Sequence, residues 1–366
     1  MDASEAARGL RAERIQGSTN FKGGIVQNIE PTPPTGDLGK MLRTSLEYFQ
    51  SGVERVPREA PPIVAPDVAA IAARQPGLRV TWLGHSTMLV AIDGALFLTD
   101  PVFSRRASPL QWLGPARFHA PPLGLDELPP LDGVVLSHDH YDHLDRAAVL
   151  RLAARGETFY VPLGVGDHLT RWGIAPAQIV ELDWWERIEV AGVELHAAPA
   201  RHFSGRSALG SNRTLWASWA FVGPRHRAWF SGDTGPFDAG VREIARRLGP
   251  FDLAMIETGA WHPSWGHIHL GPQQAVRMFR LLGARALLPV HWGTFNLALH
   301  AWDEPIIHVQ ELAADAALLA PIAGETLRPD APRVAAPWRE RWQRWRAESP
   351  DVDRLRGLVG SATSGA

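Results

Sequence analysis

The chain has 366 residues, a formal net charge of -2, no cysteine and 15 tryptophans. With 45% hydrophobic and 21% charged residues it has the composition of a globular protein with a substantial core. The small net charge gives no electrostatic case for binding nucleic acid, and without cysteine there can be no disulfide, thiolate ligand or cysteine nucleophile. Any transition metal must therefore be held by His, Asp or Glu. Met1–Arg14 mixes acids and arginines with alanine and lacks an apolar signal core. No stretch reaches the ~18 apolar residues of a membrane-crossing helix, so the expected location is cytoplasmic, with peripheral membrane contact as an addition.

Residues 1–35 are polar, end in Glu30-Pro-Thr-Pro-Pro and read as an extended arm. Lys40–Gln50 carries Met41, Leu42, Leu46 and Phe49 at helical spacing, which predicts a small amphipathic helix packed on the body, with a lipid surface as the alternative. Pro57–Pro66 is a linker and Val68–Arg74 a short helix. From Leu78 the pattern turns to strands: Leu78–Leu83, then Thr87–Ile92 and Ala95–Thr99 around an Asp93-Gly94 turn. Val134–Leu136 and Thr158–Val161 are further strands, with helices over Arg146–Leu152 and Val165–Trp172. Arg187–Val190 pairs with Val193–Ala198, and Leu215–Val222 with Arg227–Ser231. Helices over Asp238–Leu248 and Gln273–Leu282 then alternate with strands Leu253–Glu257 and Ala286–Val290. Hairpins followed by alternating strands and helices predict two sheets packed face to face with helices outside. Near the end, Trp338, Trp342 and Trp345 share one helical face among arginines. That face suits docking on the core, with an interfacial anchor as the alternative.

Ser137–Asp145 reads Ser-His-Asp-His-Tyr-Asp-His-Leu-Asp, a loop that follows a buried strand and precedes a helix. Imidazole and carboxylate are the ligands of zinc-like ions, and a strand end fixes them in space. His138 and His140, two apart, can grip one ion, while Asp142 and His143 face elsewhere and can grip a second. His202, Asp233 and His291 each follow an apolar strand and can converge on the same rim. A carboxylate such as Asp233 can bridge two cations. His85 and Asp100 read as groups supporting that rim.

This order of ligands resembles the metallo-β-lactamase superfamily. Within it, Thr81-Trp-Leu-Gly-His-Ser-Thr, Leu98-Thr-Asp-Pro-Val-Phe-Ser, Glu181-Leu-Asp-Trp-Trp-Glu, Gly232-Asp-Thr-Gly and His291-Trp-Gly-Thr-Phe resemble the N-acylphosphatidylethanolamine-hydrolysing phospholipase D family. The likeness spans about Leu78 to Pro305. It implies a four-layer αβ/βα sandwich, with a hydrolase domain at 78–328 between an arm and linker at 1–77 and a Pro-rich, Trp/Arg tail at 329–366. It also implies two zinc ions, with manganese or iron as alternatives. His138, His140 and His202 would hold one ion and Asp142, His143 and His291 the other, bridged by Asp233. A bridging hydroxide would attack the phosphodiester, Asp142 would position it, and His269 would serve as a further active-site histidine. Gln273 and Gln274 stand where the animal enzymes carry acids. The expected partners are a phospholipid or other anionic small molecule, a membrane surface and a second copy in a homodimer. A sugar-lactone phosphate hydrolase and a non-catalytic lipid- or partner-binding protein are the competing readings.

Overall fold

The computed structural model describes residues 3–33, 47, 52–206, 211–330, 340–341 and 343–344. Apart from Glu47, the predicted Lys40–Gln50 helix lies outside them, as do Trp338, Trp342 and Trp345. Among the described residues no helix is long and apolar enough to cross a membrane.

A helix at Ala3–Gln16 leads into a small hairpin, β1 (Phe21–Lys22) and β2 (Ile25–Val26). The arm is thus folded, not extended. Few apolar side chains mark it: the helix docks through Ile15 and through its arginines. Arg11 donates to Thr170 Oγ1 at 2.5 Å, and Arg14 donates to the Glu181 carbonyl and pairs with Glu186.

The first large sheet holds β3 (Leu78–Gly84), β4 (Thr87–Ile92), β5 (Ala95–Thr99), β6 (Gly133–Val135), β7 (Phe159–Pro162) and β8 (Ile179–Leu182). The second holds β9 (Arg187–Val190), β10 (Val193–Ala198), β11 (Ser218–Val222), β12 (Arg227–Phe230), β13 (Leu253–Glu257), β14 (Ala286–Val290) and β15 (Ala317–Leu318). β16 (Thr326–Leu327) completes the first sheet beside β3, so each sheet has seven strands. Each sheet begins with antiparallel joints and ends with parallel ones, the latter at β5–β8 and β12–β15. Leu215–Ala217, read as strand, is buried but irregular, and the helix predicted from Gln273 begins at Gly271.

Strand alternation sorts the layers. Met88, Val90 and Ile92 of β4 face the second sheet, together with Leu253 and Met255 of β13. Leu89 and Ala91 face the other way, into a cluster with helices Arg146–Ala154 and Val165–Arg171. Ala254 and Ile256 pack under helices Asp238–Leu248 and Gly271–Leu282. Both faces of both sheets are covered, which explains the near-continuous apolar runs. The result is the α/β/β/α sandwich that was expected.

At one end the two sheets are tied by their turns. Asp93 accepts from the backbone N–H groups of Arg225 and His226 and from His226 Nδ1 at 2.6 Å. Burial pushes the Asp93 carboxyl up, but the His226 ring and those N–H groups outweigh it and hold it below the ordinary value. A depressed carboxylate stabilises the fold above its unfolded pKa, and that contribution is lost as pH falls through the folded one. Asp93→Asn is therefore expected to cost about 1–2 kcal/mol at pH 7, with the gap to wild type closing in acid. Urea unfolding of both proteins across pH checks this; a gap independent of pH would refute it.

Candidate metal centre

Strands β3, β5, β6, β10, β12, β13 and β14 end at the opposite edge, and the residues that follow them meet there. His85 follows β3, Asp100 follows β5, the Ser137–Asp145 loop follows β6, and Asp233 and His291 follow β12 and β14. His85, Asp100 and His291 have φ of 53°, 32° and 64°, a left-handed backbone that costs a non-glycine residue energy and clusters at functional sites. Gly232 also has positive φ, and a Cβ there would lie 2.6 Å from Ser137 Cβ. Only glycine lets the Asp233 loop pass this close to the histidine loop.

Besides a group of Asp233, Glu257, His269 and His291, the ligand-type atoms form two groups around the histidine loop, His138, His140, His202 and Asp233, and His85, Asp142, His143 and His291. Asp233 Oδ2 serves both: it lies 3.7 Å from His138 Nε2 and His202 Nε2, and 3.1 and 3.2 Å from His143 Nε2 and His291 Nε2. Asp142 Oδ2 lies 3.3 Å from His291 Nε2, 3.5 Å from His143 Nε2 and 3.1 Å from His85 Nε2.

For His202, His138 and His143, hydrogen bonding on the far side of the ring fixes the tautomer. His202 Nδ1 meets the Ile268 carbonyl at 2.9 Å and must donate, which leaves a lone pair on Nε2. The Ser137 hydroxyl donates to Asp100 and so accepts from His138 Nδ1, leaving a lone pair on His138 Nε2. Both lone pairs point at His140 Nδ1, at 3.3 and 2.9 Å, where a single proton cannot satisfy them all. His143 Nδ1 donates to Asp100 at 2.7 Å, while its buried Nε2 has no hydrogen-bond partner, and neither has Asp233 Oδ1. Buried lone pairs facing one another fit a cation between them. The donor set, imidazole and carboxylate without thiolate, suits zinc, manganese or iron.

The electrostatics divide the rings. Burial opposes the charged forms of His143 and His291, but Asp233 and Asp142 outweigh it and raise His143 well above the ordinary value and His291 to about 10. These two must give up a proton to bind a metal. Burial pushes His138 and His202 well below the ordinary imidazole value and His85 down to about 3, so these rings are neutral, as ligands must be. Burial opposes ionisation of Asp142 as well, but His143 and the other rings hold its carboxyl well below the usual range.

Three supports were not evident from the sequence. Asn28, in the arm, accepts from the His202 N–H at 3.0 Å and donates to the His202 carbonyl at 2.8 Å. Glu257, with no exposed surface at the end of an apolar strand, accepts from His269 Nδ1 at 2.7 Å and from the Thr234 and Leu270 N–H groups. It brings His269 to the rim, with its ring centroid 5.2 Å from that of His202 and 5.4 Å from that of His291. Tryptophan N–H groups hold the ligand loops: Trp219 donates to the Leu136 carbonyl, Trp216 to Ala200 and Trp82 to His85. His262, by contrast, caps the short turn Pro263–Trp265 and belongs to neither group.

Comparison with known proteins gives the same picture. Residues 96–292 match the beta-lactamase superfamily domain. The chain is 42% identical over 339 residues to an uncharacterised Mycobacterium tuberculosis protein, covering 91% of this chain and 90% of that one. It is 41% identical over 233 residues to the N-acyl-phosphatidylethanolamine-hydrolyzing phospholipase D 1 of Caenorhabditis elegans, covering 60% of this chain and 65% of the worm protein. Its fold matches the crystal structure of an isothiocyanate hydrolase from Delia radicum gut bacteria with a TM-score of 0.55 and 21% identity, over 71% of this chain and all of that one. The chain belongs to the metallo-β-lactamase superfamily and is a metal-dependent hydrolase.

Proposed function

We propose that the protein is a phospholipase D-type phosphodiesterase that cleaves an N-acylphosphatidylethanolamine into an N-acylethanolamine and a phosphatidic acid. The observation that carries this reading is the pair of ligand groups around the histidine loop, with Asp233 Oδ2 within 3.7 Å of ring nitrogens from both. The similarity to the worm phospholipase supports the choice of substrate. Two divalent cations, taken as zinc, would lower the pKa of bound water and leave net positive charge for a phosphodiester once Asp142 and Asp233 are counted.

The chain's own groups divide the remaining work. Asp142 stays ionised and acts as an acceptor that orients the attacking water. The water oxygen attacks phosphorus, the bond from phosphorus to the ethanolamine oxygen breaks, and the departing alkoxide needs a proton. His269 is placed to give it from Nε2, since Glu257 holds Nδ1. Burial opposes the charged ring, but Glu257 outweighs it and raises its pKa above the ordinary value, which favours the proton-carrying ring that an acid needs.

Metal-analysed protein should hold about two equivalents of a divalent ion. It should cleave N-acylphosphatidylethanolamine and bis-p-nitrophenyl phosphate. Turnover of a sugar-lactone phosphate with no diester cleavage would replace this reading by the lactonase one.

A further inference from the structure

We propose that the turn Leu110–Leu113 is a membrane-inserting finger that seats the catalytic edge on an anionic phospholipid surface. The inference rests on the lipid substrate proposed above. Trp112 is 74% exposed, Leu113 57% and Leu110 44%; nowhere else among the described residues do three large exposed apolar side chains fall within four positions.

The turn is built to present them. Gln111 Oε1 accepts from the Arg106 N–H, and its Nε2 donates to the Arg106 and Ser108 carbonyls. Arg106 also donates to the Gly114 carbonyl, and Ala107 N–H to Pro115. With these bonds made, the tip holds its shape without collapsing onto the body. Its stem stands on the rim of the metal centre. Phe103 and Ser104 donate to Asp145 of the histidine loop, and Phe118 N–H donates to Thr294, three residues past His291.

Charge identifies the partner. From Pro101 to Leu125 the sequence has no acidic residue; of its arginines, Arg106 is spent on the Gly114 carbonyl and Arg117 is buried against the Val102 and His119 carbonyls, which leaves Arg105 as the outward cation. Arg105 is exposed beside the turn. Tryptophan and leucine beside an exposed arginine, with no acid nearby in the sequence, suit the boundary between headgroups and acyl chains, and anionic lipid attracts Arg105. Three side chains fall well short of the ~800 Å² per partner that a stable protein interface needs, which argues against a second copy as the occupant.

The test compares the full-length, metal-loaded protein with Trp112→Ser/Leu113→Ser, both exposed positions outside the core and the site. Each is co-sedimented with vesicles of phosphatidylcholine and phosphatidylglycerol in equal parts, and each is assayed on bis-p-nitrophenyl phosphate. Vesicle affinity is expected to fall about tenfold or more, or ~1.4 kcal/mol, with hydrolysis of the soluble diester unchanged. Equal vesicle binding by both proteins, or none by wild type, overturns the finger. So does loss of a dimer on substitution with vesicle binding intact. If the variant loses binding while neither protein cleaves any diester, the finger stands and the phosphodiesterase reading falls.

Discussion

Asp233→Asn is expected to lower kcat/KM on the diester by at least about 10²–10³-fold, the scale of removing one group that meets charge in the transition state. It should also release metal from both positions together. The asparagine keeps the size and one acceptor oxygen but loses the charge, so a change in activity reports electrostatics more than packing. Asp233 Oδ2 lies within 3.7 Å of ring nitrogens from both groups. On the two-ion reading proposed above, Asp142 would then be the only carboxylate left in the two ligand sets around the histidine loop, and the repulsion between the cations would be poorly offset. Metal content after dialysis, read beside steady-state rates, decides the matter. A variant that keeps two equivalents and the wild-type rate would remove Asp233 from the centre.

Trp219→Ala should destabilise the fold by about 3–5 kcal/mol, the usual cost of emptying a large aromatic site in a core. Trp219 is fully buried between the sheets, and its indole N–H donates 2.9 Å to the Leu136 carbonyl, the last residue before the histidine loop. Truncation therefore opens a cavity and orphans a buried acceptor at the same place. Trp219→Phe separates the two effects. It retains most of the apolar volume and loses only the N–H, so about 1 kcal/mol is expected, accompanied by weaker metal binding as the loop loosens. Urea midpoints and a competitive chelator titration measure the two quantities. Equal stability of Trp219→Ala and wild type would mean that the sheets are held elsewhere.

The strands that carry the first ligands were legible because both of their faces are buried, so Leu78–Thr99 and Val134–Leu136 read as apolar runs bounded by turn residues. The histidine loop was legible because its ligands are adjacent in the chain. What was missed depends on distant partners. β8 is interrupted by Glu181, whose carboxylate is buried because the Gly164 and Gly166 N–H groups donate to it. The helix Glu304–Leu312 has a proline second and then the β-branched Ile306, Ile307 and Val309, which weaken its helical signature. The helix Ala3–Gln16 is anchored by arginines, which a search for apolar periodicity passes over. Glu257 and Asn28 look like a strand end and a loop amide, since the histidines they serve, His269 and His202, are brought to them only by the fold.

The mirrored build of the sheets has a consequence for how the protein is made. The first sheet's segment supplies His138, His140, Asp142 and His143, and the second supplies His202, Asp233 and His291. Neither of the two sets that contain the histidine loop is completed by one half: one takes His202 and Asp233 from the second half and the other takes His291. During synthesis the nascent chain carries half a centre until residue 291 has left the ribosome and the two sheets have closed on each other. Metal loading is then a late event that reports correct docking of the halves. Substitutions that only loosen the sheet-to-sheet contact should surface first as under-metallated protein, before any loss of secondary structure.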